Sequence, residues 1–162
     1  MRSILGVMVV VLCAPLCRAG QSDAERLAAA LEQAVSRAAA GDLVEAVRII
    51  SAESRTQKDP RELMEQGTKL QAEYAKLDGL GERDGIERIS LRFSGRSFFR
   101  LRVADKRSEG VIVWTFVGYR FRDEWYCKGT RFNGSDDLMK LMNSELDPAD
   151  AAPVVAPDAA GP

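Results

Sequence analysis

The chain has 162 residues, 23 basic against 24 acidic, a formal net charge of −1 and no histidine. That length suits one domain with a single core. Without histidine the usual general base near neutral pH, the usual zinc ligand and every Ser–His or Cys–His nucleophile pair are missing. No calcium-loop spacing takes their place, because Asp136–Asp137 is a bare pair.

Residues 1–19 carry the pattern of a secretory leader. Arg2 gives a positive start, Ile4 to Leu16 is a continuous apolar run, and Cys17-Arg18-Ala19 places small residues three and one before a cut ahead of Gly20. The run falls short of the ~20 apolar residues that a membrane span needs. A lipid-anchored precursor would put its cysteine after a small residue, but Cys13 follows Leu12 and Cys17 follows Leu16. The expectation is a secreted or periplasmic protein starting near Gly20, with no transmembrane anchor. Its only cysteine is then Cys127, so no internal disulfide staples it, and that thiol is expected to be a small buried apolar group.

Helix punctuation follows. Ser22 with Glu25 has capping-box spacing, and Leu27, Leu31, Ala34, Val35 and Ala38 share one face up to a stop at Gly41. Asp42 with Glu45 opens a shorter helix carrying Leu43, Ala46, Val47 and Ile50. Asp59-Pro60 with Glu62 opens a third, whose Leu63, Gly67, Leu70, Tyr74 and Leu77 form a single stripe. Gly79-Leu80-Gly81 follows a helix and precedes a strand, the reverse of a phosphate-binding loop, so it is a helix stop.

The period then changes to two. Ile89, Leu91 and Phe93 alternate with Ser90, Arg92 and Ser94, and Phe99, Leu101 and Val103 alternate with Arg100 and Arg102. Gly95-Arg96 and Asp105 to Gly110 are expected turns. Val111 to Phe121 is apolar on both faces, as in a central strand, and Trp125 to Phe132 ends at Asn133-Gly134. The fold class is α+β: three N-terminal helices packed on a four-stranded antiparallel, curved sheet, with a short C-terminal helix from Ser135 holding Leu138, Leu141 and Met142. The domain is expected over residues 20–146. Residues 147–162, rich in Ala, Pro and Asp, are an expected disordered tail.

The Ala40-Gly41-Asp42-Leu43 step between two amphipathic helices, the third helix, the antiparallel sheet and the closing Phe121-Arg122-Asp123-Glu124-Trp125-Tyr126-Cys127-Lys128-Gly129 together resemble the nuclear transport factor 2-like superfamily over about residues 22–143. A cystatin-like helix-on-sheet domain is the neighbouring resemblance. That superfamily includes isomerases, dehydratases, enzyme subunits and exported domains with no chemistry, so fold alone does not choose among them. Its members usually place extra strands between the second and third helices. Ser51 to Lys58 leaves little room for these, which implies a shallow or absent pocket.

Enzymatic members resembling ketosteroid isomerase use a carboxylate base in an apolar pocket. Here Asp105, Glu109, Asp123 and Glu124 all fall in expected turns, where acids are solvated. Tyr74 and Tyr119 are candidates to face the interior. A small isomerase- or hydrolase-like enzyme with a carboxylate in the cone is therefore the alternative to a non-catalytic binding or accessory module.

Charge is unevenly spread. Gly20 to Glu82 holds eight basic and twelve acidic residues, Arg83 to Arg131 twelve and six, and Phe132 to Pro162 one and six. Arg88, Arg92, Arg100, Arg102, Arg120, Arg122 and Lys128 are expected to share an exposed sheet face, where long basic side chains also discourage edge pairing. The candidate ligand-binding residues, on or under the sheet, are Arg92, Arg100, Arg102, Trp114 and Phe116. Candidate partners are an acidic protein, a polymer, a small anionic ligand, or a second copy joined through the sheet. Nucleic acid is not expected of an exported, acidic chain, and no cofactor or metal is expected. The acidic tail is either a spacer or a segment that folds back over the basic sheet.

Overall fold

The computed structural model describes residues 16–55 and 58–135. The elements are α1 (Leu16–Ala39), α2 (Leu43–Glu53), α3 (Pro60–Ala75), a 3-10 turn (Asp78–Leu80), and strands β1 (Arg83–Ser94), β2 (Phe98–Arg107), β3 (Val111–Phe121) and β4 (Glu124–Ser135). The strands form one open antiparallel meander in the order β1-β2-β3-β4. This is the expected α+β arrangement of three helices and four strands. Most of the expected leader, the expected C-terminal helix and the tail lie outside the described residues.

Local chemistry sets the helix ends. The Asp42 carboxylate accepts the Glu45 amide at 3.1 Å and Asp59 accepts the Glu62 amide at 2.8 Å, so both expected caps form. Gly41, at φ +85°, ends α1 in the left-handed conformation, and the Asp42 amide donates back to the Arg37 carbonyl at 2.9 Å. Ser22 is not a cap. No proline follows Pro15 until Pro60, and α1 continues back through Ser22 to Leu16.

The α1 stripe of Leu27, Leu31, Ala34, Val35 and Ala38 is fully buried against the sheet. Facing it are Phe99, Leu101 and Val103 from β2, Ile112, Trp114 and Phe116 from β3, and Trp125 and Cys127 from β4. Each such large apolar side chain contributes about 1.5–3 kcal/mol through burial. Rings knit the layer together: Phe99 and Trp125 are 5.2 Å apart between centroids, and Trp114 and Phe132 are 4.9 Å apart.

Two sheet expectations change. The β1–β2 register shifts between Arg88 and Ser90, so Ile89 takes the extra position of a bulge and is exposed, while Ile86, Leu91 and Phe93 pack on the core. One inserted residue reverses which face the following side chains occupy. Second, β2 runs on to Arg107, which shortens the reversal to Ser108–Gly110. Asp105 is therefore a strand residue, not a turn residue, and it is fully buried.

Candidate functional site

Between the α2–α3 pair and the β3–β4 side of the sheet lies a solvent-open cleft of about 440 Å³. Its apolar wall is Val47 and Ile50 from α2, Leu70 from α3, Trp114 from β3 and Phe132 from β4. Val47 and Ile50 sit three residues apart on one helical face, which aims both at the same space. The polar rim is Ser51, Ser54, Lys58, Gln66, Thr130 and Arg131. Lys58 Nζ donates to Gln66 Oε1 at 2.5 Å, and Ser54 Oγ donates to the Ile50 carbonyl at 2.6 Å. Among the described residues no carboxylate lines this cleft. The short connection between α2 and α3 implied a shallow or absent pocket; a cleft is present because α3 stands off the sheet, touching α2 closely at Gly67.

A second polar cluster lies on the core side of β2, beside the Tyr74–Trp114 ring pair. The Tyr74 hydroxyl donates to Asp105 Oδ2 at 2.5 Å, and Arg107 donates to the same oxygen from Nε at 3.0 Å and from Nη2 at 2.6 Å. Arg83 Nε stands 4.0 Å from Asp105 Oδ1. Burial, with the adjoining carboxylate second, pushes the Tyr74 hydroxyl up to about 12. Two buried polar atoms in this region, Asp105 Oδ1 and Trp114 Nε1, have no hydrogen-bond partner. The expectation that no carboxylate enters an apolar strand face is thus overturned by Asp105. The period-two series Phe99, Leu101, Val103, Asp105 and Arg107 puts it on that face, but nothing in the series says whether solvent or a buried partner satisfies it.

The five candidate ligand residues do not converge. Arg92 pairs across the ladder with Arg100, and Arg102 follows on the same outer face of the sheet. Trp114 and Phe116 are on the opposite, helix-covered face, and only Trp114 reaches the cleft. Arg88 also leaves the expected basic face. It pairs with Val103 and so points toward the helices, where it bonds Glu25 at 2.8 Å and also Glu32. Arg120 opposes Trp125 on that side and bonds Asp123 at 3.2 Å. The Arg88 pairs thus use part of the contrast between acidic helices and basic strands inside the domain, whereas Arg55 with Glu124 joins the two layers in the opposite sense. Arg122 lies in the β3–β4 turn, and Lys128 sits where the β3–β4 register shifts. Of the two tyrosine candidates, Tyr74 is interior. Tyr119 pairs with Phe98 on the outer face, their rings 5.1 Å apart.

Cys127 is buried, 2% exposed, and its thiol sits 3.6 Å from both the Gly129 carbonyl and the Thr130 hydroxyl. Burial pushes the thiol above its ordinary range, which keeps it protonated and unreactive at neutral pH. Among the described residues no three His, Cys, Asp or Glu side chains are grouped to hold a metal ion, and no helix is long and apolar enough to cross a membrane.

Comparison of the chain with family models, with curated proteins and with solved structures found no match.

Proposed function

We propose that this is an exported, non-catalytic binding module of nuclear transport factor 2-like character that holds one small amphipathic molecule in the α2–α3 cleft. The observation that carries the reading is the division of the cleft: an apolar wall of Val47, Ile50, Leu70, Trp114 and Phe132 under a rim that includes Lys58, Gln66 and Thr130. Such a site takes an apolar body inward and an uncharged polar or anionic head toward Lys58. An enzyme of the ketosteroid-isomerase type needs its carboxylate at the ligand. The buried carboxylate among the described residues, Asp105, is not one of those lining the cleft and is held by Tyr74 and Arg107. Export rests on the leader pattern of residues 1–19, which implies a secreted or periplasmic location.

The test is a titration of the full chain with an anilinonaphthalene sulfonate probe and with a medium-chain fatty acid as competitor. Saturable binding should fall at least about tenfold, or 1.4 kcal/mol, when Leu70→Trp fills the cleft, and less when Lys58→Gln removes the rim charge. Binding indifferent to Leu70→Trp in a folded variant would sink the proposal.

A further inference from the structure

One end of the sheet joins exposed aromatic rings to an excess of positive charge. The β1–β2 turn at Gly95-Arg96 and the β3–β4 turn at Arg122-Asp123 lie at that same end of the meander. The Ser97 carbonyl accepts the Arg120 amide at 2.8 Å, which makes the two hairpins one continuous edge. On the outer face there, Phe98 is 48% exposed, Val117 39% and Phe121 51%. Phe98 rests on Tyr119, and the Arg122 guanidinium stands 5.5 Å from the centre of the Phe121 ring. Among the described residues no other phenylalanine is exposed. Charge is divided along the strands as well. Residues 92–102 and 117–124, at this end, carry six basic and two acidic side chains, whereas residues 82–90 and 103–110, at the other, carry four and five. Both acids of the hairpin end are engaged, Asp123 with Arg120 at 3.2 Å and Glu124 with Arg55. Arg96 and Arg122 are exposed and form no ion pair among the described residues. Arg122 also holds φ +57°, a conformation that suits glycine, so its guanidinium is kept beside Phe121 against the local backbone preference.

We propose that this end of the sheet docks on an anionic phospholipid bilayer, with Phe98 and Phe121 in the headgroup layer and Arg96 and Arg122 on the lipid phosphates. Apolar area that leaves water and attraction of cations to negative lipid are the two contributions that hold a protein at a bilayer surface. Both are present at one edge, and the opposite end of the strands, with its slight acidic excess, turns the molecule so that this edge approaches first. An acidic protein would engage the arginines alone. The exposed phenylalanines beside them favour the bilayer, whose interface takes aromatic rings at headgroup depth.

The proposal does not rest on the cleft, and it is read by fluorescence at the edge itself. Phe121→Trp is placed in the full chain, and its emission is followed against that of the parent, whose Trp114 and Trp125 are buried. The vesicles are phosphatidylcholine with and without phosphatidylglycerol. The expected result is a blue shift, with quenching by bromine on the lipid acyl chains, on the anionic vesicles alone. Arg96→Gln with Arg122→Gly removes both charges and suits the backbone at position 122. It should weaken partitioning at least about tenfold while the thermal midpoint does not fall, and Phe98→Ser should weaken it too. Should the double variant not fold, Arg96→Gln alone carries the charge test. No shift on either vesicle, an equal shift on both, or partitioning indifferent to the lost charges overturns the proposal. So does cosedimentation without a shift, which assigns membrane binding to another surface, the leader included. A shift on polyglutamate with none on vesicles also overturns it and assigns the edge to an acidic protein.

Discussion

The Tyr74 hydroxyl on α3 donates a 2.5 Å hydrogen bond to the Asp105 carboxylate on β2, joining residues 31 apart in sequence. This bond ties the C-terminal end of the third helix to the sheet. Because Tyr74 is 6% exposed, ionising it would place a second negative charge beside a buried carboxylate.

That placement makes the fold sensitive to alkali. The Tyr74 hydroxyl is raised from about 10 in the unfolded chain to about 12 in the folded one, so the folded state holds the proton more tightly. The stabilisation is complete below pH ~10 and is lost as pH rises through about 12, an effect on the order of 2 kcal/mol. Absorbance titration of the three tyrosines should show one ionising late. Tyr74→Phe should abolish that late step and flatten the alkaline limb of stability measured by urea unfolding.

Asp105 is fully buried and bonded by both Tyr74 and Arg107. Asp105→Ala leaves a guanidinium without its partner in the protein interior and should cost about 3–5 kcal/mol. Asp105→Asn retains an acceptor for Tyr74 and should cost less. Urea denaturation of both variants checks the order, and equal losses would mean that the negative charge, not the hydrogen bond, is what matters.

Gly118 faces the Phe99 ring across the β2–β3 ladder, and a methyl group there would meet Phe99 Cε1 at 2.2 Å. Phe99 is 1% exposed and packed against Phe93 and Trp125, so it has little room to yield. Gly118→Ala should destabilise by about 1–3 kcal/mol, read as a lower thermal midpoint with reduced near-ultraviolet signal from Trp125.

Gly67 brings α3 against α2. An added methyl would stand 2.7 Å from Val44 Cγ2 and 2.9 Å from Val44 Cα. Alanine gains about 1 kcal/mol of helix propensity over glycine, but the backbone contact cannot rotate away as the half-exposed valine methyl can. Gly67→Ala should therefore be neutral to about 1 kcal/mol destabilising, and by separating α2 from α3 it should change probe affinity in the cleft. A variant stabilised by the full propensity gain would mean that the helices separate at no cost.

Sequence alone determined what short-range chemistry controls. Asp42 and Asp59 sit three residues ahead of the amides they cap, Leu27 to Ala38 declare a buried stripe, and the change to period two after Gly81 announces the strands. Each signal lies within a few residues, so helix count, strand count and strand order follow from it. Only the tertiary structure decided where side chains with two options went. The bulge at Ile89 turned that residue outward, and Arg88 went to the helix side because Glu25 and Glu32 wait there, 63 and 56 residues back in the chain. Asp105 sits inside because Tyr74 and Arg107 meet it there, and a carboxylate at the end of an apolar run looks the same in sequence whether solvent or those partners satisfy it. The cleft likewise arises from how α3 leans on α2 at Gly67. The physical reason is common to all of these: the free energy of a polar group or a cavity depends on partners far away in sequence, whereas caps and stripes are satisfied by their neighbours.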